Sequence, residues 1–290
     1  MYSDVYLETF TLPSVDDEWE FFMKQKRTSY TSYYPFQIIA REKKVTFDFE
    51  NVTILYGNNG SGKSTVLNVI AEKLGLDRFS PYNASPFYAE YVKMCSFEKG
   101  RNTPRERRMI VSDDVFDEMF RKRGRNREID GRRDELIKEY DDLRREAKDF
   151  KFGGMQDFEK LEKITAIRKR SQSDFIKSRL DRNIRTMSNG ETALDFFSKN
   201  IGEEGLYLLD EPENSMSPET QLLLKKFLEE QARFYGCQFI IATHSPFILS
   251  LKEAKIYDLD SDKIDTAKWT ELPNVREYYN FFKEYEKAFE

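Results

Sequence analysis

Histidine is almost missing from this chain: of 290 residues, only His244 is one. That excludes a histidine-built metal cluster and a His-Asn-His nuclease centre, and it leaves no second histidine for a Ser-His-Asp triad elsewhere. Cysteine is nearly as scarce. Cys95 and Cys237 are too few for a disulfide framework and lack metal-ligand spacing, so both are expected as buried thiols in a reducing compartment. No apolar run approaches the roughly 18 residues that span a bilayer, so no membrane partner is expected. The first residues carry neither a basic stretch nor an apolar one, and no secretory leader is expected; the reading is cytoplasmic. There is little excess positive charge: the net charge of −5 argues against a globally basic nucleic-acid binder but leaves room for a local basic patch.

What is present has an order. Three short apolar runs stand out: Val52-Thr53-Ile54-Leu55-Tyr56, Leu206-Tyr207-Leu208-Leu209 and Gln238-Phe239-Ile240-Ile241-Ala242. Each is too short for a buried helix. Unbroken apolarity, rather than alternation, predicts strands covered on both faces, as in a parallel sheet. Helical spacing follows the first run at Val66, Leu67, Ile70 and Leu74. It follows the second at Leu222, Leu223, Phe227 and Leu228, with Ser217 as N-cap and Pro218 at the first helical position. Strand, helix, strand, helix is the α/β pattern.

The middle differs. From about 100 to 185 the chain is dense in charge. Leu136, Tyr140, Leu143, Ala147 and Phe150 form a heptad seam, Gly153 and Gly154 break it, and Phe158, Leu161, Ile164 and Ile167 then resume a helical spacing. The expectation is an inserted helical hairpin with arms of roughly 25 Å. The division read from this is 1–100 and 187–290 as two parts of one core, and 101–186 as a charged helical lobe. Near the C-terminus Val275, Tyr278, Phe282, Tyr285 and Phe289 make another helical stripe, expected to pack on the core rather than to dock a partner.

Gly57-Asn58-Asn59-Gly60-Ser61-Gly62-Lys63-Ser64, followed by Thr65, fits G-x-x-x-x-G-K-[ST] in full, after a strand and opening a helix. The glycines let backbone N–H groups curl around phosphate oxygens, and the helix N-terminus adds its positive end. Lys63 would reach the β- and γ-phosphates, and the Ser64 hydroxyl would ligate Mg²⁺. The second apolar run ends in Asp210 and Glu211. Asp210 is expected beside the metal. Glu211, one residue on, is expected to orient and deprotonate the attacking water. His244 closes the third run and is followed by a Ser-Pro turn, which favours contact with the γ-phosphate.

Ser188-Asn189-Gly190-Glu191 opens a helical stretch. Ser188 and Glu191 have the spacing of a capping box, and a helix start of this kind is also an anion site. Phosphate loop, Ser-x-Gly-Glu, Leu-Leu-Asp-Glu-Pro-Glu and Thr-His-Ser-Pro, in that order, resemble an ABC-type ATPase, most of all the SMC/RecF-like branch and its small bacterial members. The likeness covers 34–76 and 187–260. It implies an α/β P-loop NTPase fold with an ABC/SMC-head-like core and an inserted helical lobe. It also implies ATP and Mg²⁺ as ligands, and a homodimer or higher homo-oligomer that sandwiches ATP. In such families the signature acts on the nucleotide of the partner chain, so Ser188, Asn189 and Gly190 are implied to act in trans, with 214–217 at the dimer seam.

Two departures from the family pattern matter. The signature reads Ser-Asn-Gly-Glu where many relatives have Ser-Gly-Gly-Gln. No glutamine lies between Gln37 and Gln156, so the usual glutamine linking Mg²⁺ to the helical lobe has no counterpart; Ser112 or Asp113 is the candidate substitute. That gap also weakens a transporter reading. A basic run, Arg121-Lys122-Arg123-Gly124-Arg125-Asn126-Arg127, is read either as a phosphate-backbone contact or as a solvated linker. The candidate partners are therefore DNA or RNA, in repair or phage defence, or a protein effector such as a toxin or nuclease. For the adenine, Phe10, Tyr34, Phe36 and Phe47 are stacking candidates.

Overall fold

The computed structural model describes residues 5–27, 29–149, 154, 158, 165, 170–184, 188–261 and 263–290. The first stretch contributes β1 (Leu7–Leu12), α1 (Val15–Lys24), β2 (Val45–Asp48), β3 (Val52–Tyr56), α2 (Lys63–Leu74), β4 (Asp77–Arg78), α3 (Tyr88–Met94) and β5 (Ser96–Lys99). Then come β6 (Glu106–Val111), α4 (Ser112–Asp149), α5 (Gln172–Lys177), α6 (Asn189–Asn200) and β7 (Gly205–Asp210). The last stretch holds α7 (Pro218–Phe234), β8 (Gln238–Ala242), α8 (Pro246–Leu249), β9 (Lys255–Asp258), β10 (Asp265–Thr266) and α9 (Pro273–Glu284).

The three apolar runs are β3, β7 and β8, the buried centre of a seven-stranded sheet ordered β10-β9-β3-β8-β7-β6-β4. Every neighbouring pair is parallel except β9 with β10. The register is what positions the site. Leu55 pairs with Ala242, Ala242 with Asp210, and Asp210 with Val111, so β3, β8, β7 and β6 finish in one row. Whatever follows each of these strands emerges on the same edge, where α/β sheets bind ligands.

A second, antiparallel sheet is ordered β2-β1-β5. Gln238, fully buried at the start of β8, ties it to the large sheet. Its Oε1 accepts from the N–H groups of Tyr6 and Leu7, each at 2.9 Å, and its Nε2 donates to the Leu7 carbonyl at 2.9 Å. A buried amide with its partners satisfied fixes register without a desolvation penalty.

The chain separates into two compact units: Met1–Val115 with Ser188–Glu290, and Phe116–Met187. In the second unit the helix read from Leu136 onward is far longer than expected. It begins at Ser112, directly after β6, and runs 38 residues, about 57 Å at ~1.5 Å per residue, so the basic run lies on a helix and not in a linker. Leu136, Tyr140 and Ala147 are buried as the seam predicts, and the described residues packing on Leu136 and Tyr140 include Phe175 of α5. Phe150, Gly153, Leu161, Ile164 and Ile167, and with them the returning arm, lie outside the described residues. The C-terminal stripe is a correction: Val275 is buried, but Tyr278, Phe282, Tyr285 and Phe289 are exposed and do not pack on the core. Among the described residues no helix is long and apolar enough to cross a membrane.

One buried acid ties helix α1 to the phosphate loop. Glu18 is 3% exposed; its Oε2 accepts the Gln37 N–H at 2.8 Å, and its Oε1 has no partner. Gln37 has φ 67°, and the next two residues, Ile38 and Ile39, crowd Gly62. Burial raises the Glu18 carboxyl to about 7. A carboxyl raised on folding holds its proton more tightly in the native state, so its contribution is fully kept below its unfolded value and lost as pH rises through about 7. Glu18→Gln is expected to raise Tm at pH 8 by the equivalent of about 3 kcal/mol and to leave it nearly unchanged at pH 4. Equal Tm increments at both pH values would contradict this.

Candidate functional site

The loop from Gly57 to Gly62 follows β3 and opens α2, as its sequence predicts. Gly60 and Gly62 have φ of 88° and 95°, a region L side chains avoid. A Cβ on Gly62 would also come within 2.7 Å of Ile39. Lys63 is 4% exposed, and its Nζ donates to the carbonyls of Gly57 at 2.7 Å and Asn58 at 3.0 Å, so the ammonium sits within the loop. Ser61 Oγ, in the same cradle, is buried without a partner. A lysine ammonium, an unpaired hydroxyl and a helix N-terminus make a donor set that suits phosphate oxygens.

Ser64 Oγ donates to Asp210 Oδ1 at 3.0 Å, across the width of β8. Burial pushes the Asp210 carboxyl up to about 6; Glu211 and Glu213 add to this, and the Ser64 bond and Lys63 oppose it. A hydroxyl and a poorly solvated carboxylate are hard oxygen ligands of the kind Mg²⁺ takes. Among the described residues no group of three or more His, Cys, Asp or Glu is placed to hold a metal, so the remaining ligands would be phosphate oxygens and water. Ser112 and Asp113 line the same cavity of about 420 Å³ as Ser64, Asp210 and Tyr34. Asp114 beside them is committed to structure: its carboxylate accepts from Ser80 Oγ at 2.5 Å and from the Val111 N–H at 2.8 Å.

Glu211 has φ 47°, a left-handed conformation that is costly for a residue with a Cβ. The bend is held by its N–H donating to the Ala242 carbonyl at 2.9 Å. Its Oε2 accepts from Asn214 Nδ2 at 3.0 Å, and its Oε1 lies 3.6 Å from His244 Nδ1. The proposed base and the single histidine therefore face each other at neighbouring strand ends. His244 is half exposed, and its carbonyl accepts from Asn274 Nδ2 at 2.8 Å.

The signature is a complete capping box. Glu191 N–H donates to Ser188 Oγ at 3.2 Å, and Ser188 N–H donates to Glu191 Oε2 at 2.8 Å. Gly190 has its own structural reason: a Cβ there would meet Thr220 Oγ1 of α7 at 2.5 Å. Asn189 opens α6 beside it.

Four residues at the site were given no such role by the sequence, Tyr34 being read there only as a stacking candidate. Asp260, just beyond β9, accepts the Asn58 N–H on Oδ2 at 2.8 Å. Asn274 holds the His244 carbonyl. Glu213 is buried and accepts from the Thr243 hydroxyl. Tyr34 donates to Thr65 Oγ1 at 3.1 Å, and burial raises its phenol. Of the adenine candidates, Phe10, Phe36 and Phe47 are core residues out of reach of a ligand, whereas Tyr34, half buried against Tyr88, lines the cavity with Ser64 and Asp210.

Residues 96–250 match the family described as "AAA domain, putative AbiEii toxin, Type IV TA system". The chain belongs to this family. The match spans just over half the chain and includes the signature, Asp210, Glu211 and His244, while the phosphate loop lies before it. Among solved structures the chain is similar to the SMC head domain from Thermotoga maritima, at 13% identity over 91% of this chain and 98% of that one, TM-score 0.41. It is also similar to the Smc head domain with an extended coiled coil bound to the C-terminal domain of ScpA from Pyrococcus furiosus, at 14% identity over 97% and 99%, TM-score 0.41. No curated protein matches. The family member thus has an α/β core with a phosphate loop at the edge of a largely parallel sheet.

Gly190→Ala is expected to lower stability by about 1–3 kcal/mol through the contact with Thr220. Thermal unfolding of Gly190→Ala/Thr220→Ala should recover part of that loss. No recovery would show that α7 is not what requires the glycine.

Proposed function

We propose that this protein is an Mg²⁺-dependent ATP hydrolase whose ATP-closed homodimer acts as a switch. The observation that carries the reading is the convergence on one sheet edge of Lys63, the Ser64–Asp210 pair at 3.0 Å and the Glu211–His244 pair at 3.6 Å. Lys63 and the loop amides would hold the phosphates, and Ser64 and Asp210 the metal. Mg²⁺ supplies charge neutralisation between the phosphate oxygens. Glu211, steadied by Asn214, takes the proton of the attacking water. His244 contacts the γ-phosphate and reports its loss to the backbone that Asn274 grips. Ser188, Asn189 and Gly190 complete the site from the second chain, the capped helix start offering its N–H groups to the nucleotide. An open cavity of about 830 Å³ beside Asn58, Asn59 and His244 leaves space for that approach.

Two observations bear on what the switch acts on. Between 118 and 135 seven cations stand among five acids, so the local field is weak for a nucleic-acid track. Arg121, Arg125, Arg132 and Arg133 already pair with Glu118, Asp181, Glu135 and Asp130. The exposed aromatics of the C-terminal stripe, in contrast, suit a protein surface. A protein effector is therefore the better-supported partner and nucleic acid the second. The family's toxin–antitoxin description suits a chain that holds or releases such an effector.

Glu211→Gln is expected to slow hydrolysis by roughly 10²–10⁴-fold with ATP still bound. With Mg-ATP its solution mass should shift from monomer to dimer. An unchanged turnover rate would remove Glu211 from the base role, and a monomer at saturating Mg-ATP would contradict the sandwich.

A further inference from the structure

The residues named for chemistry leave unused a buried acid that lies among them. Glu213 is 5% exposed, two residues beyond Glu211, and its Oε2 has no hydrogen-bond partner. Its Oε1 accepts from the hydroxyl of Thr243, a residue with no exposed surface. Burial raises this carboxyl. A carboxyl in such a place is destabilising by itself, so a bland packing role would be met better by an apolar side chain.

Following the bonds outward gives a closed circuit. Thr243 Oγ1 accepts the Ser245 N–H at 3.0 Å. Ser245 Oγ donates to Gln221 Oε1 at 2.6 Å. Gln221 Nε2 donates to the Met216 carbonyl at 3.0 Å. Met216 N–H returns to the Glu213 carbonyl at 3.0 Å. Two segments are thereby clamped: the turn after β7, which begins with Glu211, and the residues after β8, where His244 lies between Thr243 and Ser245. Neither Glu211 nor His244 is itself a member, but His244 lies between two members and Glu211 lies two residues before a third, Glu213.

We infer that Glu213 is a positioning residue, which through the Thr243 hydroxyl fixes the Glu211 carboxylate against the His244 imidazole. The inference rests on the proposed hydrolysis and adds to it the residue that sets the separation of its two groups. Such a clamp acts on the geometry reached during the reaction, so its loss falls on kcat and not on ATP binding.

The test uses the full-length chain with Thr243→Val, Thr243→Ser and the double variant Glu213→Met/Thr243→Val. Thr243→Val is expected to lower kcat about 10–100-fold with KM for ATP within about twofold of wild type. Thr243→Ser, which keeps the hydroxyl, should restore the rate. The double variant removes both polar partners, so it should regain thermal stability while kcat stays low. A double variant that regains the wild-type rate together with its stability would overturn the inference, because the pair would then be structural only. His244 is the chain's single histidine, so its imidazole gives one NMR signal to follow without turnover. That signal should move in Thr243→Val and return in Thr243→Ser; an unmoved signal would also overturn the inference. A wild-type protein that binds but does not hydrolyse Mg-ATP would sink the proposed function instead, and the imidazole signal would still decide the clamp.

Discussion

The hydrogen bond from Ser64 to Asp210 joins residues 146 apart in sequence, and the rest of the site depends on what makes it possible. Asp210 ends β7 and Ser64 opens the helix that follows β3, with β8 between the two strands, and the residues meet only because β3, β8 and β7 end in register. A parallel sheet buried on both faces sets that register through its apolar residues. The chemistry then occupies the row that the core leaves at its edge. Val111 shares the row, which is why Ser112 and Asp113 reach the same cavity.

Several acids here are held where they ionise poorly. Asp210 is raised to about 6 and Glu18 to about 7, and Glu213 is raised as well, with burial the first cause each time. None has a cationic partner close enough to offset this fully. Acids in such places point to functional geometry, since an apolar replacement would be expected to stabilise the fold. Glu211 adds backbone strain at φ 47°. Sites that bind multiply charged ligands are expected to gather such local costs, because cations and donors arriving with the ligand relieve them.

The phosphate loop, the three buried strands, Asp210, Glu211 and His244 could be read directly, because each motif is continuous in sequence and its chemistry follows from adjacent residues. The capping box at Ser188 was readable for the same reason. Residues brought in by tertiary structure were not. Asp260 reaches the Asn58 N–H from 202 positions away, and Asn274 reaches His244 from 30. No local pattern marks them beyond their place after a strand or at a helix start. The start of α4 was missed because charge and the interior glycines Gly124 and Gly131 mask helical periodicity there. The C-terminal stripe misled in the other direction: its spacing is helical, but only Val275 faces the core, and periodicity alone does not say what covers an apolar face.

If one edge of the sheet holds phosphate and metal together, nucleotide affinity must depend on Mg²⁺ through Asp210. The direct test is calorimetric titration of a non-hydrolysable ATP analogue into wild type and Asp210→Asn, with Mg²⁺ and with EDTA. The account predicts that Mg²⁺ tightens binding to wild type by at least about tenfold, or about 1.4 kcal/mol, and has little effect on Asp210→Asn. An Asp210→Asn protein that keeps the full Mg²⁺ enhancement would contradict it.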